Sequence, residues 1–251
     1  MLVMGILNVT PDSFADGGRY NSIESALHHG RQMIAEGVEI IDIGGESTRP
    51  GADRVSADEE LARVIPVISE LAKEGVPISI DTMRASTARA AIAAGAQIIN
   101  DVSGGLADGQ MLATAAQLQA PYIAMHWRGQ SKDMNSMAIY GDVVRDVICE
   151  LQERISAALD TGISKDNLII DPGIGFAKNA DHNWAIIDRI DEFVALGYRV
   201  LVGGSRKRFL GGTTPDKREQ ASIALTKRLS TSGIWGVRVH SVKPHKDVLR
   251  S

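Results

Sequence analysis

Carboxylate and amide side chains end several of the short apolar runs in this chain of 251 residues. Asp81, Asn100 and Asp171 each close such a run with a short, stiff side chain. A buried carboxylate is costly unless it is paired or hydrogen-bonded, so these groups suggest acceptors for a ligand rich in N–H donors. A carboxylate accepts two parallel N–H bonds from an amino-pyrimidinone edge in the same way as from arginine. The residues therefore predict a receptor for a nitrogen-rich ring.

A second set of residues is suited to bind an anion. Arg238 and His240 are two residues apart in the last apolar run, so both can point the same way from a strand. An arginine fork beside an imidazole is a good anion receptor. Ser205 and Lys207, which follow the preceding run, add a hydroxyl and a cation. These four residues predict a site for an anion such as phosphate.

The sequence argues against zinc and leaves a hard cation open. It has no H-x-x-x-H pair, and His28 and His29 are adjacent on a predicted helix, so both cannot face one ion. Mg²⁺ needs only one or two protein oxygens when substrate phosphates supply others. Asn8, at the end of the first apolar run, is the candidate metal ligand.

Two long loops are expected to contribute to binding. Residues 10–21 and 44–55 are rich in glycine and polar side chains, as lids and binding loops are in compact domains. The second loop carries Thr48 and Arg49, which are suited to an anionic substrate. Surface decoration is the alternative interpretation of both loops.

Some polar residues at run ends have a purely structural interpretation. We expect Asp101 to bond only backbone groups at a turn, and for Asp42 this interpretation and a binding role are equally open. Cys149, the only cysteine, is expected to be a small buried residue of a helix. A single cysteine cannot form an internal disulfide and fits a reducing compartment.

The elements that position these residues alternate regularly. An apolar run followed by a helix-like stretch recurs eight times, and the runs are continuously apolar, as in parallel strands covered on both faces. The expected strands cover residues 2–9, 38–43, 77–81, 98–100, 122–126, 167–171, 199–202 and 235–240. Eight such units predict an α/β protein with the (β/α)8 TIM barrel fold and an active site at the carboxyl ends of the strands. An open doubly wound sheet is the alternative.

Composition narrows the classes of partner. The net charge is −4 and there is no Lys/Arg tract, so nucleic acid is a poor candidate. No apolar segment is long enough to span a bilayer, and a cytoplasmic protein without membrane partners is expected. The length suits a single barrel domain over residues 1–251, with one helix expected over residues 181–196.

Eight segments taken together resemble the dihydropteroate synthases. They are MGILNVTPDSFADGG from Met4, DIGGESTRPGA from Asp42, SIDT from Ser79, IINDVSGG from Ile98, MHWRG from Met125, DPGIGFAKN from Asp171, VGGSRKRFLG from Val202 and VRVH from Val237. A single segment such as DPG would be a weak signal. The whole set in this order, from the first strand to the last, is a strong one.

The resemblance implies a transferase of folate biosynthesis. It would join 6-hydroxymethyl-7,8-dihydropterin diphosphate to 4-aminobenzoate and release pyrophosphate, with Mg²⁺ as cofactor. The implied pterin contacts are Asp81, Asn100, Asp171 and Lys207. The implied diphosphate contacts are Asn8, Thr48, Arg49, Arg238 and His240, and those for 4-aminobenzoate are Phe14, Thr48, Arg49, Pro50, Phe176, Ser205 and Lys207. Catalytic roles would fall to Asp81, Lys207, Arg238 and His240.

The resemblance also implies a homodimer that acts on small molecules. Lys227 and Arg228 interrupt the stretch that contributes to the family's dimer contact, and Ser241 stands where the family often has Asp. Three alternatives remain: a non-catalytic or altered pterin-binding relative, a pterin-binding methyltransferase with a corrinoid partner, and an unrelated phosphate-binding barrel. The last needs a Schiff-base lysine or an enolising base within a strand, and none is evident.

Overall fold

Eight parallel strands close into a barrel in this computed structural model, which describes residues 1–10, 18–46, 55–129 and 136–250. Each strand pairs with the next one along the chain, and β8 pairs with β1. The strands are β1 Leu2–Asn8, β2 Ile40–Gly44, β3 Ile78–Asp81, β4 Ile98–Asp101, β5 Tyr122–Met125, β6 Leu168–Asp171, β7 Arg199–Val202 and β8 Gly236–Val239. The predicted (β/α)8 barrel is confirmed.

Helices connect the strands and cover the outside of the barrel. They are α1 Gly18–Ala35, α2 Ala57–Leu71, α3 Ala85–Ala93, α4 Met111–Leu118, α5 Val143–Asp160, α6 Ala180–Asp188, α7 Ile190–Val194, α8 Glu219–Leu229 and α9 Lys243–Arg250. No helix among the described residues is long and apolar enough to cross a membrane.

The single helix expected over residues 181–196 is wrong. The chain forms α6 and α7 instead, separated by Arg189, whose backbone leaves the helical region at φ −117° and ψ 31°. The Arg189 guanidinium binds Asp142, the residue that caps α5, at 3.0 Å and Glu192 at 2.6 Å. These two ion pairs join the break to α5 and α7, a tertiary contact that periodicity along one segment does not report.

The expectation of a buried Cys149 is also wrong, because this thiol is exposed. The face of α5 that packs on the barrel carries Val147, Leu151 and Ile155, which recur at helical spacing. Position 149 lies on the other side of the helix from these residues and therefore faces outward.

The last helix packs against the barrel although it has only eight residues. His245 of α9 is fully buried, and its Nδ1 atom lies 2.7 Å from the hydroxyl of Thr226 on α8. Lys246 pairs with Glu39, which lies just before β2. These contacts anchor α9 where β8 meets β1.

The barrel interior has two layers. Six apolar side chains fill its amino-terminal part, and we call them the floor: Met4, Ile40, Ile98, Ile123, Ile169 and Leu201. Side chains two residues apart on a strand point the same way, so the residue two positions after each floor residue also faces inward. On three strands those positions hold Asp42, Asn100 and Asp171, which with Asp81 and Arg238 form what we call the mouth layer.

Candidate active site

An arginine between two buried aspartates is the centre of the mouth layer. Arg238 of β8 donates from Nε to Asp42 and from Nη2 to Asp81, each at 2.5 Å. Both carboxylates are buried, and Asp42 also accepts a hydrogen bond of 3.0 Å from the amide of Asn100. The barrel thus brings together side chains of β2, β3, β4 and β8 that lie far apart in the sequence.

Burial and crowding set the charge of this cluster. Burial raises the pKa of Asp81 to about 7; Arg238 opposes the rise and the nearby Asp42 adds to it. Burial also acts against the charge of Arg238, but its two carboxylate partners raise the pKa of the guanidinium above the usual value. Two carboxylates share one cation, so the cluster keeps spare acceptor capacity. The buried Oδ1 of Asp42 has no hydrogen-bond partner among the described residues.

Asp171 faces the same space from β6. Its Oδ1 accepts a 2.7 Å hydrogen bond from the backbone N–H of Gly173, which fixes the carboxylate at the start of the following loop. Burial raises the pKa of Asp171, while the Gly173 N–H and the charge of Lys207 oppose the rise. The structure therefore places three carboxylates and one amide around the inner wall of the mouth.

Lys207 spans the loops after β6 and β7. Its amine donates to the carbonyl of Ile174 and lies 4.4 Å from the centre of the Phe176 ring. Burial lowers the pKa of Lys207 to about 8, and the charge of Asp171 resists that change. A cation and an aromatic face thus lie together at one side of the mouth, close enough to Asp171 for its charge to affect the lysine.

The ends of β7 and β8 also meet as the sequence predicts. The hydroxyl of Ser205 lies 3.1 Å from Nδ1 of His240 and accepts a 3.3 Å hydrogen bond from its backbone N–H. Asn8 ends β1 beside Gly44 of β2. Four residues assigned to binding, Phe14, Thr48, Arg49 and Pro50, lie outside the residues that the structure describes.

The described residues do not form a metal site of their own. Within residues 1–10, 18–46, 55–129 and 136–250, no group of three or more His, Cys, Asp or Glu side chains could hold a metal ion. An ion held by one protein oxygen, with the rest from substrate phosphate and water, suits Mg²⁺. Asn8, the metal ligand that the sequence predicts, ends β1.

The sequence left open a purely structural role at a turn for both Asp101 and Asp42, and the structure gives a different answer for each. Asp101 accepts hydrogen bonds from the backbone N–H groups of Ser103 and Gly105, as expected at a turn. It also accepts from the hydroxyls of Ser103 and Tyr122, so the expectation that it bonds only backbone groups is wrong. For Asp42 the turn interpretation is wrong, because its described partners are Arg238 and Asn100. Its signal was available in the sequence: Asp42 is a charged residue inside the otherwise apolar strand β2.

A second buried cluster lies beside the site and was missed. Lys178, from the loop after β6, contacts His126 at the end of β5 at 2.8 Å, and His126 contacts Glu150 of α5 at 2.9 Å. The sequence marked His126 as the polar end of a strand but did not link it to Lys178. Nothing in the spacing of these residues predicts that the lysine is buried.

Comparison with known proteins agrees with this geometry. Residues 4–240 match the family described as "Pterin binding enzyme". The chain is 46% identical to dihydropteroate synthase of Mycobacterium leprae over 258 residues, covering 99% of this chain and 91% of that protein. The solved dihydropteroate synthase of Xanthomonas albilineans with 4-aminobenzoic acid superposes with a TM-score of 0.94 at 43% identity, covering 99% of this chain and 90% of that one.

A second solved structure of the Xanthomonas albilineans enzyme, in complex with 7,8-dihydropteroate, has a TM-score of 0.90 at 40% identity. It covers 99% of this chain and 91% of that one. The match therefore extends over the whole barrel and includes relatives with ligands at their sites. The chain belongs to the pterin-binding enzymes and, among them, to the dihydropteroate synthase family.

Proposed function

We propose that this protein joins 6-hydroxymethyl-7,8-dihydropterin diphosphate to 4-aminobenzoate, giving 7,8-dihydropteroate and pyrophosphate. The observation that carries the proposal is the mouth layer, in which Asp42 and Asp81 flank Arg238 above an apolar floor. Membership of the dihydropteroate synthase family supports it. The relatives solved with 4-aminobenzoic acid and with 7,8-dihydropteroate indicate the same two substrate parts.

The pterin would bind deepest, against Asp81, Asn100, Asp171 and Lys207. Its amino-pyrimidinone edge presents N–H donors, which match the carboxylate oxygens of the two aspartates. The amide of Asn100 can donate and accept, so it suits the mixed donors and acceptors of such a ring. The apolar floor beneath excludes water from these bonds, which strengthens them.

The diphosphate would lie toward the outside of the mouth, against Asn8, Thr48, Arg49, Arg238 and His240. The described ion pairs of Arg238 use Nε and Nη2, so the donors on Nη1 remain for a diphosphate oxygen. Mg²⁺ held through Asn8 would supply further positive charge for the leaving group.

The 4-aminobenzoate would bind nearest to solvent. The contacts that we assign to it are Phe14, Thr48, Arg49, Pro50, Phe176, Ser205 and Lys207. In the described part, Lys207 and Phe176 provide a cation beside an aromatic face, suited to a ring that carries a carboxylate.

The charges suggest an order of bond changes. The bond between the pterin methylene and the diphosphate oxygen breaks first, and its electron pair leaves with pyrophosphate, whose charge Arg238 and His240 stabilise. The ionised carboxylate of Asp81 stabilises the positive charge left on the pterin methylene. The neutral aromatic amine then forms the C–N bond and releases a proton to solvent, so no strong general base is needed.

Three further properties belong to the same proposal. We assign residues 1–251 to one pterin-binding barrel domain and propose that the protein acts as a homodimer. The stretch around Arg228, which forms an exposed ion pair with Asp188, would contribute to the contact. A cytoplasmic location fits a protein whose single cysteine is exposed and unpaired.

The direct test is a two-substrate assay with purified protein. We expect pyrophosphate release to require the pterin diphosphate, 4-aminobenzoate and Mg²⁺ together, with one dihydropteroate formed for each pyrophosphate. Tight pterin binding without turnover would favour a non-catalytic relative. Pyrophosphate release that does not depend on the pterin diphosphate would exclude the proposed reaction.

A further inference from the structure

The loop after β6, residues 172–179, is built around a buried lysine amine. The Nζ atom of Lys178 lies 2.8 Å from Nδ1 of His126 and donates to the carbonyls of Gly173 at 3.1 Å and Phe176 at 3.0 Å. An ammonium has three donors, and these are three acceptors. Lys178 is 8% exposed, so its contacts are made away from bulk water.

The acceptor on His126 is fixed from the other side of its ring. The Nε2 atom lies 2.9 Å from a carboxylate oxygen of Glu150, so the hydrogen-bond network assigns the proton to Nε2 and the lone pair to Nδ1. Burial lowers the pKa of His126 to about 4, and the charge of Lys178 acts in the same direction. The imidazole is therefore neutral and can accept from the lysine. Arg128 holds the same Glu150 carboxylate.

The loop needs such a constraint because its backbone is strained. Ala177 has a φ of +48°, a left-handed conformation that costs about 1–2 kcal/mol for a residue with a Cβ. Gly173 has a φ of +69°, and a Cβ there would overlap the backbone carbonyl of His126. The hydroxyl of Tyr140 donates to the Ala177 carbonyl at 3.0 Å. Strain of this kind persists only where surrounding contacts fix the conformation.

The same loop carries groups that face the substrates. The N–H of Gly173 binds the carboxylate of Asp171, and the ring of Phe176 lies against Lys207. The amine of Lys178 binds the carbonyls of these same two residues, Gly173 and Phe176. The hydrogen bonds of Lys178 to the backbone therefore help to fix the position of the Phe176 ring.

We propose that Lys178 is a positioning residue for the 4-aminobenzoate subsite, and that Glu150 and His126 orient it. It acts through the backbone of the loop and does not itself touch a substrate. This inference rests on the proposed function, because it assigns a determinant of the second substrate's position at the same site. Asp171 belongs to β6 and is also held by the pairing of this strand with β5, so the pterin side of the site depends less on the lysine than the Phe176 ring does.

Steady-state kinetics of Lys178→Met would test this. The variant keeps the length of the side chain and removes its donors. We expect the KM for 4-aminobenzoate to rise about tenfold or more, with kcat and the KM for the pterin diphosphate changed less than about threefold. Lys165→Met, at an exposed lysine just before the amino end of β6, is the matched control and should leave all three constants unchanged. An unchanged KM for 4-aminobenzoate, or equal changes in both KM values, overturns the proposal.

Glu150→Gln serves if Lys178→Met does not fold. Glu150 has a side chain that is 34% exposed, so its replacement is less disruptive. Loss of its charge should raise the same KM about threefold through the weakened orientation of His126, with kcat unchanged. An unchanged KM contradicts the positioning role. The proposed function fails separately, if wild type and Lys165→Met form no dihydropteroate at all.

Discussion

The floor and the mouth layer lie two residues apart along the strands, yet their chemistry is opposite. The floor consists of apolar side chains packed against each other. The mouth layer holds three carboxylates, an amide and a guanidinium. Hydrophobic packing favours folding, whereas buried charges oppose it unless they are paired. The difference teaches that, inside this barrel, apolar packing that favours folding lies below the site and the charged groups lie within it.

Replacing Arg238 should have the largest effect, because this residue contributes both to stability and to the reaction. Arg238→Met leaves Asp42 and Asp81 without a counter-ion, which costs about 3–5 kcal/mol of unfolding free energy. It also removes a stabiliser of the leaving pyrophosphate, for which we expect kcat/KM to fall about 1,000-fold. Chemical denaturation and steady-state kinetics measure the two effects. Arg199→Met, at the amino end of β7, is the control, and an equal loss of kcat/KM there would remove the special role of the mouth.

Ile123→Ala tests the role of the floor in stability. Ile123 is fully buried in the floor, so its truncation should lower the free energy of unfolding by about 2–5 kcal/mol. Under conditions where the variant stays folded, kcat should remain within about twofold of wild type, because the floor touches no reacting atom. Urea unfolding followed by assay at low temperature separates these quantities. A large fall in kcat in fully folded protein would show that the layers are not separate.

The pH dependence probes the charges of the mouth layer. The pKa of Asp81 is raised to about 7, so its ionised form increases as the pH rises through that value. The pKa of Lys207 is lowered to about 8, so its charged form is lost as the pH rises further. If both charged forms are required, kcat/KM follows a bell with limbs near these values, and falls about tenfold one unit outside each limb.

Single variants assign the two limbs of that bell. Asp81→Asn should lack the acid limb and Lys207→Met the alkaline limb, each at a lower plateau. Neighbouring charged groups that affect the pKa of Asp81 are Arg238, which lowers it, and Asp42, Glu60 and Asp101, which raise it. A profile for wild type that stays flat from pH 6 to 9 would show that neither titration matters for turnover.

Ser79→Ala should have the smallest effect. Ser79 lies on β3 two residues before Asp81, and its buried hydroxyl has no hydrogen-bond partner among the described residues. Removing an unpaired buried hydroxyl should change stability by less than about 1 kcal/mol, and in the favourable direction. Thermal unfolding and kinetics both check it. A loss of activity would mean that the hydroxyl binds substrate and that the polar site extends to the level of the floor.

The fold could be predicted from the sequence because strand periodicity and polar strand ends are local signals. Asn100 and Asp171 end apolar runs, and in a parallel barrel all such ends meet at one rim. The direction of Arg238 could not be predicted in the same way. Its ion pairs with Asp42 and Asp81 depend on which strands face β8 across the barrel interior, and the spacing of residues along β8 does not report that.

The loop after β6 shows a second limit. Lys178 resembles a surface lysine in the sequence, and only the approach of β5 and α5 makes it buried and hydrogen-bonded. The break at Arg189 has a similar origin, since its partner Asp142 is 47 residues away. Both depend on tertiary contacts that compete with local preference.

Single-turnover release of pyrophosphate by Asp81→Asn tests the central claim most directly. Asparagine keeps the shape and the acceptor toward Arg238 but removes the negative charge. With both substrates saturating, we expect the rate to fall about 100-fold or more, while the free energy of unfolding changes by less than about 1 kcal/mol. Ile123→Ala, measured in parallel, should show the reverse. A normal rate in Asp81→Asn, or a rate that falls only with the folded fraction, would contradict the division of stability and chemistry between the two layers.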